Sequence, residues 1–368
     1  MKILILGNND VGLYKFRREL IERFISDGDE VYISLPDGKF VKQLKELGCT
    51  FIDTPIQRRG TNPLEDLKLM KRYDAMLKQL HPDVVLTYTI KPNVYGGLAC
   101  QMNKIPYIAN VTGLGSAVEN GGFMQKLTTS LYRLGLRKAD TVFFQNQANL
   151  DFMKQHKVLN SHCELIPGSG VNLKRFAYCE YPDHKTIDFV YVGRLMKEKG
   201  FDLYASAAEQ IREAYPQTRF HVCGDYEDNY KEKVKDLTDR GIIIYHGLVD
   251  DMKKIYSMVD CTVHPTYYPE GMSNVLLESL ACGRAIITTD RPGCKEIVDD
   301  GVNGFVVKQK DPEDLISKIE CFIALNPEQR KQFGLNGRRK VENEFDRNIV
   351  IEHYIDAIQR TKKDGKTS

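Results

Sequence analysis

The sequence predicts an α/β protein built from two doubly wound, parallel-sheet domains that face each other across a cleft. Short apolar runs alternate with segments of helical periodicity from the first residues onward. The alternation stops at residues 166–183, where glycine, proline and aromatic residues replace any clear period, and then starts again. The length of 368 residues also favours two domains over a single core.

The first Rossmann-like domain is predicted for residues 1–170. Its strands are short runs rich in β-branched and aromatic residues, and segments of helical spacing such as 14–27 and 62–80 separate them. We expect strands at residues 2–7, 30–35, 49–54, 84–88, 107–111 and 141–145. This order of elements is that of a parallel sheet with helices on both faces.

The second Rossmann-like domain is predicted for residues 171–346, from a second series of strands. We expect these at residues 188–193, 219–224, 242–246, 261–265, 285–289 and 304–307. Residues 347–368 then form a C-terminal segment whose apolar positions fit an amphipathic helix. We expect that helix to pack back across the cleft toward the first domain.

The composition is that of a globular protein and gives little support to nucleic-acid binding. The net charge is +2, although residues 1–170 hold 22 Lys and Arg against 17 Asp and Glu. That excess either steers an anionic partner or forms a solvated face, and the sequence leaves both open. The basic amphipathic segment 124–138 likewise either contacts the inner leaflet of a membrane or packs in the core.

The expected location is the cytoplasm, with peripheral contact at the cytoplasmic face of the membrane as an open alternative. The apolar run at residues 1–7 is far shorter than the roughly 20 residues that span a bilayer, and it indicates a buried strand rather than a signal peptide. The nine cysteines are scattered singly without CxxC pairs, which is typical of reduced thiols.

The most informative motif is EGMSNVLLE at residues 270–278, with Glu270 and Glu278 eight positions apart. If a helix begins near residue 271, Glu278 lies about 12 Å further along its axis and is rotated by about 80°. Phosphate is favoured at such a helix start. The alternative is a capping-region carboxylate followed by a solvated one. The predicted phosphate-binding amides belong to Gly271, Met272, Ser273 and Asn274.

A second motif, VGRLMKEKG at residues 192–200, follows the first predicted strand of the second domain. Gly193 opens this loop at the position where Rossmann-like folds bind phosphates. Arg194 offers a bidentate fork and Lys199 a point charge, a combination suited to a diphosphate leaving group.

With both motifs in place, the chain resembles glycosyltransferase family four, the retaining GT-B enzymes, over nearly its whole length. The resemblance implies that Glu270 contacts the transferred sugar, that Arg194 and Lys199 hold the diphosphate, and that all three are catalytic. It implies that Glu278 binds the ribose hydroxyls of the nucleotide. It further implies that residues 1–170 bind the acceptor and residues 171–346 the nucleotide sugar. Residues 245–250, with Gly247 and Val249, resemble the loop against which the nucleotide base rests.

The first domain carries weaker signals. Gly12, within residues 8–17, resembles the family's flexible loop after the first strand, where glycine lets the backbone approach a ligand. Asn110 and Gly113, within residues 110–116, resemble bacterial transferases that extend lipid-diphosphate-linked saccharides for capsule, O-antigen or protein glycosylation. The resemblance implies that Asn110, Gly113 and Gly12 bind substrate. Many family members have a histidine near this strand end, and this sequence has none there.

We therefore expect a retaining transferase that moves a hexose or N-acetylhexosamine from a nucleotide sugar, preferably UDP-linked, to a lipid-linked saccharide. The eight histidines show no HExxH or HxH spacing, so neither a metal nor a cofactor is expected. His264 is expected to be a hydrogen-bonded residue at a strand end. The alternatives are a GT-B nucleotide-sugar epimerase, a phosphorylase, which the chain length disfavours, and a non-catalytic partner subunit, which the intact motifs disfavour.

Overall fold

The computed structural model describes residues 1–57, 62–119, 121–159 and 162–364. The chain forms two compact units, one of Met1–Ser169 together with the chain from Arg347 onward, and one of Gly170–Asp346. We call them the first and the second domain.

The first domain is built on a parallel sheet, which has seven strands in the described residues, in the order β3-β2-β1-β4-β5-β6-β7. The strands are β1 (Lys2–Leu6), β2 (Glu30–Leu35), β3 (Thr50–Asp53), β4 (Val84–Tyr88), β5 (Tyr107–Val111), β6 (Thr141–Phe144) and β7 (His162–Leu165). The strand order reverses direction between β1 and β4, which pair with Leu6 opposite Thr87.

Helices cover both faces of this sheet. They are α1 (Asp10–Ser26), α2 (Val41–Glu46), α3 (Pro63–Leu80), α4 (Gly97–Asn103), α5 (Ser116–Glu119), α6 (Gly122–Leu136) and α7 (Gln147–Gln155), with a π-helix at Pro92–Gly96. Successive side chains of a strand point to opposite faces, so Ile3 and Ile5 join one core and Leu4 and Leu6 the other. Burial on both faces explains why the central strands are apolar throughout.

The second domain repeats the plan, with six parallel strands in the described residues, in the order β10-β9-β8-β11-β12-β13. The strands are β8 (Ile187–Val192), β9 (Thr218–Cys223), β10 (Ile244–Gly247), β11 (Cys261–His264), β12 (Ala285–Thr289) and β13 (Gly304–Val307). The helices are α8 (Phe201–Ala214), α9 (Lys231–Asp239), α10 (Met252–Met258), α11 (Asn274–Ala281), α12 (Pro312–Ala324) and α13 (Pro327–Glu344). Here the order reverses between β8 and β11.

The last helix, α14 (Arg347–Asp364), belongs to the first domain. Its first residue, Arg347, donates to Glu19 Oε2 at 2.6 Å and to the Ser169 carbonyl at 3.2 Å. Val350 and Tyr354 are buried in the core formed with α1. The helix therefore completes one face of the first domain although it follows the second domain in sequence.

The predicted fold class, two Rossmann-like parallel sheets with helices between the strands, is confirmed. Each predicted strand is present within about two residues of its expected bounds. The exception among the observed strands is β7, which was not predicted because its short, half-exposed HCEL sequence at the sheet edge lacks an apolar pattern. Across the residues that the structure describes, no helix combines the length and apolarity needed to cross a bilayer.

Candidate active site

The carboxyl end of β8 is shaped by two glycines. Gly193 has φ +150° and follows the strand directly, and Gly200 has φ +78° and ends the 3-10 turn Lys197–Lys199. A Cβ atom at Gly200 would lie 2.1 Å from the Pro265 carbonyl oxygen, so only glycine allows this approach. The contact brings Lys199 against the loop that follows β11.

Lys199 and Glu270 form an ion pair in that position, between Nζ and Oε1. Their side chains are only 17% and 13% exposed. Burial alone raises the pKa of Glu270, but the Lys199 charge and the adjacent His264 outweigh it and bring this pKa down to about 2. Glu270 is thus a carboxylate throughout the neutral pH range and has no proton to donate.

His264 is the last residue of β11 and is 1% exposed. Its Nε2 lies 3.6 Å from Glu270 Oε1, and within the described chain neither ring nitrogen has a hydrogen-bond partner. His264 therefore lies at a strand end as expected, and its polar neighbour is the Glu270 carboxylate, which it helps to keep ionised. The packing of β11 between β8 and β12 buries the ring beside the carboxylate, which no local pattern reveals.

Helix α11 begins later than expected, at Asn274 rather than near residue 271. The Ser273 N–H donates to the Gly293 carbonyl at 2.8 Å, so this amide is not directed at a ligand as predicted. Met272 is 8% exposed and packs in the core. Gly271 also lies outside the helix, its carbonyl oxygen 2.5 Å from where a Cβ of Gly293 would be. The close packing of the 293 loop explains the later helix start.

Glu278 and Arg194 occupy different surroundings. Glu278 lies in the middle of α11, half-buried and near Tyr256, whose pKa is raised well above its ordinary value by burial and by the Glu278 charge. Arg194 follows Gly193 and is 41% exposed, with Glu227 at 3.7 Å. This contact is loose enough to leave the guanidinium accessible to a ligand from solvent.

The predicted base-binding loop lies at the end of β10. Gly247 has φ +65°, and its carbonyl accepts the Gly224 N–H at 2.8 Å. Val249 is half-buried against an apolar cluster, while the neighbouring Leu248 is 77% exposed. The loop therefore offers an exposed apolar side chain beside a fixed backbone turn.

In the first domain, Asn110 sits inside a hydrogen-bonded network and is 1% exposed. Its Nδ2 donates to Tyr354 Oη at 2.6 Å, its Oδ1 accepts from Gln145 at 3.3 Å, and its carbonyl accepts from Asn93 at 2.9 Å. The side chain thus ties β5 to α14, and substrate binding by Asn110 stays a prediction.

The two first-domain glycines differ from each other. Gly12 lies in the first turn of α1, where its N–H donates to the capping Asn9 Oδ1 at 2.6 Å. It is therefore part of a helix cap, not of a flexible loop as predicted. Gly113 has φ +144° in the loop after β5, a backbone conformation that favours glycine.

A group of three side chains at the amino ends of β8 and β11 was not predicted. The donor atoms of His184, Asp188 and Asp260 lie within 4.8 Å of one another. Asp260 accepts the Tyr181 hydroxyl at 2.5 Å and the Asp188 N–H at 2.8 Å, and Asp188 accepts the Thr186 hydroxyl at 2.8 Å. These hydrogen bonds account for the group, and we assign no metal to it.

Family models match both halves of the chain. A model described as "Glycosyl transferase 4-like" matches residues 2–146, and one described as "Glycosyl transferases group 1" matches residues 180–340. The second match contains both motifs of the candidate active site.

Two curated bacterial proteins are similar over most of their length. The chain is 28% identical to the N,N'-diacetylbacillosaminyl-diphospho-undecaprenol alpha-1,3-N-acetylgalactosaminyltransferase of Campylobacter jejuni, with 99% of this chain and 100% of the relative covered. It is 26% identical to the capsular polysaccharide biosynthesis glycosyltransferase CapM of Staphylococcus aureus, with 88% of each covered.

Solved structures share the fold. A glycosyltransferase from Rickettsia africae matches with a TM-score of 0.83 at 19% identity, over 98% of both chains. Anabaena HepE, solved in complex with UDP and glucose, matches with a TM-score of 0.80 at 17% identity, over 98% of this chain and 99% of that one.

Proposed function

Since this chain belongs to the family-four GT-B glycosyltransferases, we propose that it moves a hexose or N-acetylhexosamine from a UDP-sugar to an acceptor. The acceptor is a saccharide carried on a lipid diphosphate, and the anomeric configuration of the sugar is retained. The Lys199–Glu270 pair at the switch point of the second sheet carries the proposal, because it places a cation and a permanent carboxylate at one strand end. Likeness to a transferase named for an undecaprenol-diphosphate acceptor supports the acceptor class.

In this proposal the second domain binds the donor. Lys199 and the exposed Arg194 bind the diphosphate and stabilise the negative charge that grows on it as the bond to the sugar breaks. Glu270 orients the sugar and favours its cationic character, because it stays ionised. Glu278 on α11 binds the ribose hydroxyls, and the loop with Gly247 and Val249 contacts the base.

Retention follows from attack on the face that the leaving group vacates. The acceptor hydroxyl forms the new bond to the anomeric carbon, the bond to the diphosphate oxygen breaks, and that oxygen takes the hydroxyl proton. Since Glu270 is paired and unprotonated, the protein contributes positioning and electrostatics rather than a general acid.

The proposal is tested by incubating the full chain with a panel of UDP- and GDP-sugars and a short-chain polyprenyl-diphosphate-linked N-acetylhexosamine. Transfer from one UDP-sugar, with an α-linkage in the product NMR spectrum, is expected from an α-linked donor. A β-linked product would reject retention. Epimerised donor without transfer would identify an epimerase, and neither outcome with any donor would favour a non-catalytic subunit.

A further inference from the structure

Arg17 is a buried arginine in the first domain that lacks an acidic partner. It lies on α1 and is 5% exposed. Its Nη1 donates to the neighbouring Phe16 carbonyl at 2.9 Å, whereas its Nε is buried without a partner in the described chain. Among the described residues, no carboxylate oxygen lies within 4.0 Å of its guanidinium. A buried charge in such surroundings is costly unless something compensates it.

Two other buried arginines of this protein are well bonded, whereas a third, Arg330, is 9% exposed and, like Arg17, has an Nε without a partner in the described chain. Arg284 is fully buried, and it donates to five backbone carbonyls, from Cys179, Glu180, Tyr256, Ser257 and Gly283. Arg347 pairs with Glu19. Arg17 therefore differs from Arg284 and Arg347, whose guanidinium groups are bonded within the protein.

Two tyrosine rings lie close to the Arg17 guanidinium. The Arg17 guanidinium carbon is 5.2 Å from the centre of the Tyr88 ring and 6.0 Å from that of Tyr354. Tyr88 Oη and Thr89 Oγ1 are both buried and make no hydrogen bond of ordinary length and angle in the described residues. The Tyr88 hydroxyl nevertheless lies close enough to Arg17 and Tyr354 for both to act on its pKa, which burial raises well above the ordinary value. Thr89 also has φ +70°, which is strained for a β-branched residue and typical of functional sites.

The topology singles out the same place. Tyr88 ends β4 and Thr89 follows it, and α1 leaves the carboxyl end of β1. The strand order of the first sheet reverses between β1 and β4, and open parallel sheets bind ligands at the carboxyl ends of the strands where the order reverses. Burial, missing partners, backbone strain and topology therefore coincide.

We propose that Arg17, with the Tyr88 and Thr89 hydroxyls, binds a phosphate group of the acceptor. A guanidinium fork matches two phosphate oxygens, and hydroxyl groups donate to the others. The inference rests on the proposed function, since it takes the phosphate to belong to the diphosphate that carries the acceptor saccharide. It names residues for the recognition of the carrier within the domain that was expected to bind the acceptor.

The experiment measures binding to the full chain by calorimetry in saturating UDP, which fills the donor site. The ligands are the polyprenyl-diphosphate-linked N-acetylhexosamine, the octyl glycoside of the same sugar without phosphate, and inorganic diphosphate. The variants are Arg17→Met and the control Arg18→Met, because Arg18 is the exposed neighbour that pairs with Glu22 at 2.7 Å.

Arg17→Met is expected to weaken binding of the diphosphate-linked acceptor at least about tenfold. Binding of the octyl glycoside and of UDP stays unchanged, and Arg18→Met behaves as wild type. The melting temperature of Arg17→Met is expected to be equal to that of wild type or higher, because the substitution removes a buried charge that has aromatic neighbours but no acidic partner in the described chain. Wild-type affinity for the diphosphate-linked acceptor in Arg17→Met would overturn the inference.

Other outcomes separate the sources of error. If Arg17→Met loses affinity equally for the diphosphate-linked acceptor and for the octyl glycoside, Arg17 has a structural role and the inference is overturned. If inorganic diphosphate binds the wild type as tightly as the acceptor does, the site belongs to a free anion. If the wild type binds neither glycoside, the proposed acceptor class is wrong, and Arg17-dependent binding of inorganic diphosphate then decides whether the anion site exists. If Arg17→Met does not fold, Arg17→Lys and Tyr88→Phe are tested in its place. Each is expected to weaken binding of the diphosphate-linked acceptor less than Arg17→Met would.

Discussion

In both domains a cation lies near the point where the strand order reverses, but among the described residues only the cation of the second domain has a carboxylate beside it. Lys199 in the second domain pairs with Glu270 of the same domain. Arg17 in the first domain has no carboxylate within 4.0 Å in the part of the chain that the structure describes. A charge paired within the protein contributes to the fold before any ligand arrives, whereas an uncompensated one opposes the fold until an anion binds. We therefore expect stability and activity to be coupled in the second domain and separable in the first.

The largest effect is expected for Lys199→Met, which should lower kcat/KM about 100- to 1,000-fold because one contact to the developing diphosphate charge is lost. It should also lower the melting temperature, since Glu270 remains buried without its cation. Donor turnover and thermal unfolding measure the two effects. Lys197→Met, in the same turn but exposed, is the control. If the melting temperature of Lys199→Met equals that of wild type, the expected difference in stability between losing Lys199 and losing Arg17 does not exist.

Glu270→Gln removes the carboxylate beside Lys199, so that Lys199, like Arg17, has no acidic partner within the described residues. We expect kcat to fall about 10- to 100-fold, with donor KM close to wild type, because the neutral amide no longer favours the cationic character of the sugar. Donor-saturation kinetics measure both parameters, with the exposed Glu198→Gln as control. A change in KM without a change in kcat would show that Glu270 does not act at the reacting centre.

Glu278→Gln is expected to raise donor KM about tenfold and to leave kcat nearly unchanged, since ribose contacts are the same in the ground and transition states. Glu278 is half-buried on α11 away from the Lys199 pair, so a small effect on stability is expected. The affinity for free UDP, by calorimetry, tests this directly. Normal UDP affinity in this variant, together with weak UDP binding by Glu270→Gln, would reverse the donor's orientation along α11.

Acid unfolding should distinguish the two cations. The folded pKa of Glu270, about 2, lies below its ordinary value of 4.5, so its stabilising contribution is complete above that ordinary value and declines as the pH falls toward 2. The difference in unfolding free energy between wild type and Glu270→Gln should shrink over this window in urea titrations. For Arg17→Met the difference should not depend on pH, because arginine stays charged. A constant Glu270→Gln difference would mean that the ion pair contributes nothing.

The smallest effect is expected on adding excess EDTA. If Arg194 and Lys199 neutralise the diphosphate, donor turnover should continue unchanged. Activity assays with and without the chelator, with Mg²⁺ and Mn²⁺ added back, measure this. Loss that either ion restores would show that the protein cations are insufficient, and the comparison would then have to include a bound ion.

By itself the sequence determined the two parallel sheets, since fully buried parallel strands appear as short apolar runs and the helices between them have a 3.6-residue period. The 192–200 motif also placed Lys199 in the loop after β8, and the 270–278 motif placed Glu270 just before a helix. Strand ends are predictable because side-chain polarity changes where the buried strand stops.

Only the tertiary structure decided which groups meet. Lys199 and Glu270 are 71 residues apart, and Asn110 bonds to Tyr354 across 244 residues. The start of α11 at Asn274 depends on the Gly293 carbonyl, and the burial of Arg17 depends on Tyr88 and on α14. Local patterns report periodicity and polarity, but partners and burial arise from long-range packing, which no window of neighbouring residues contains.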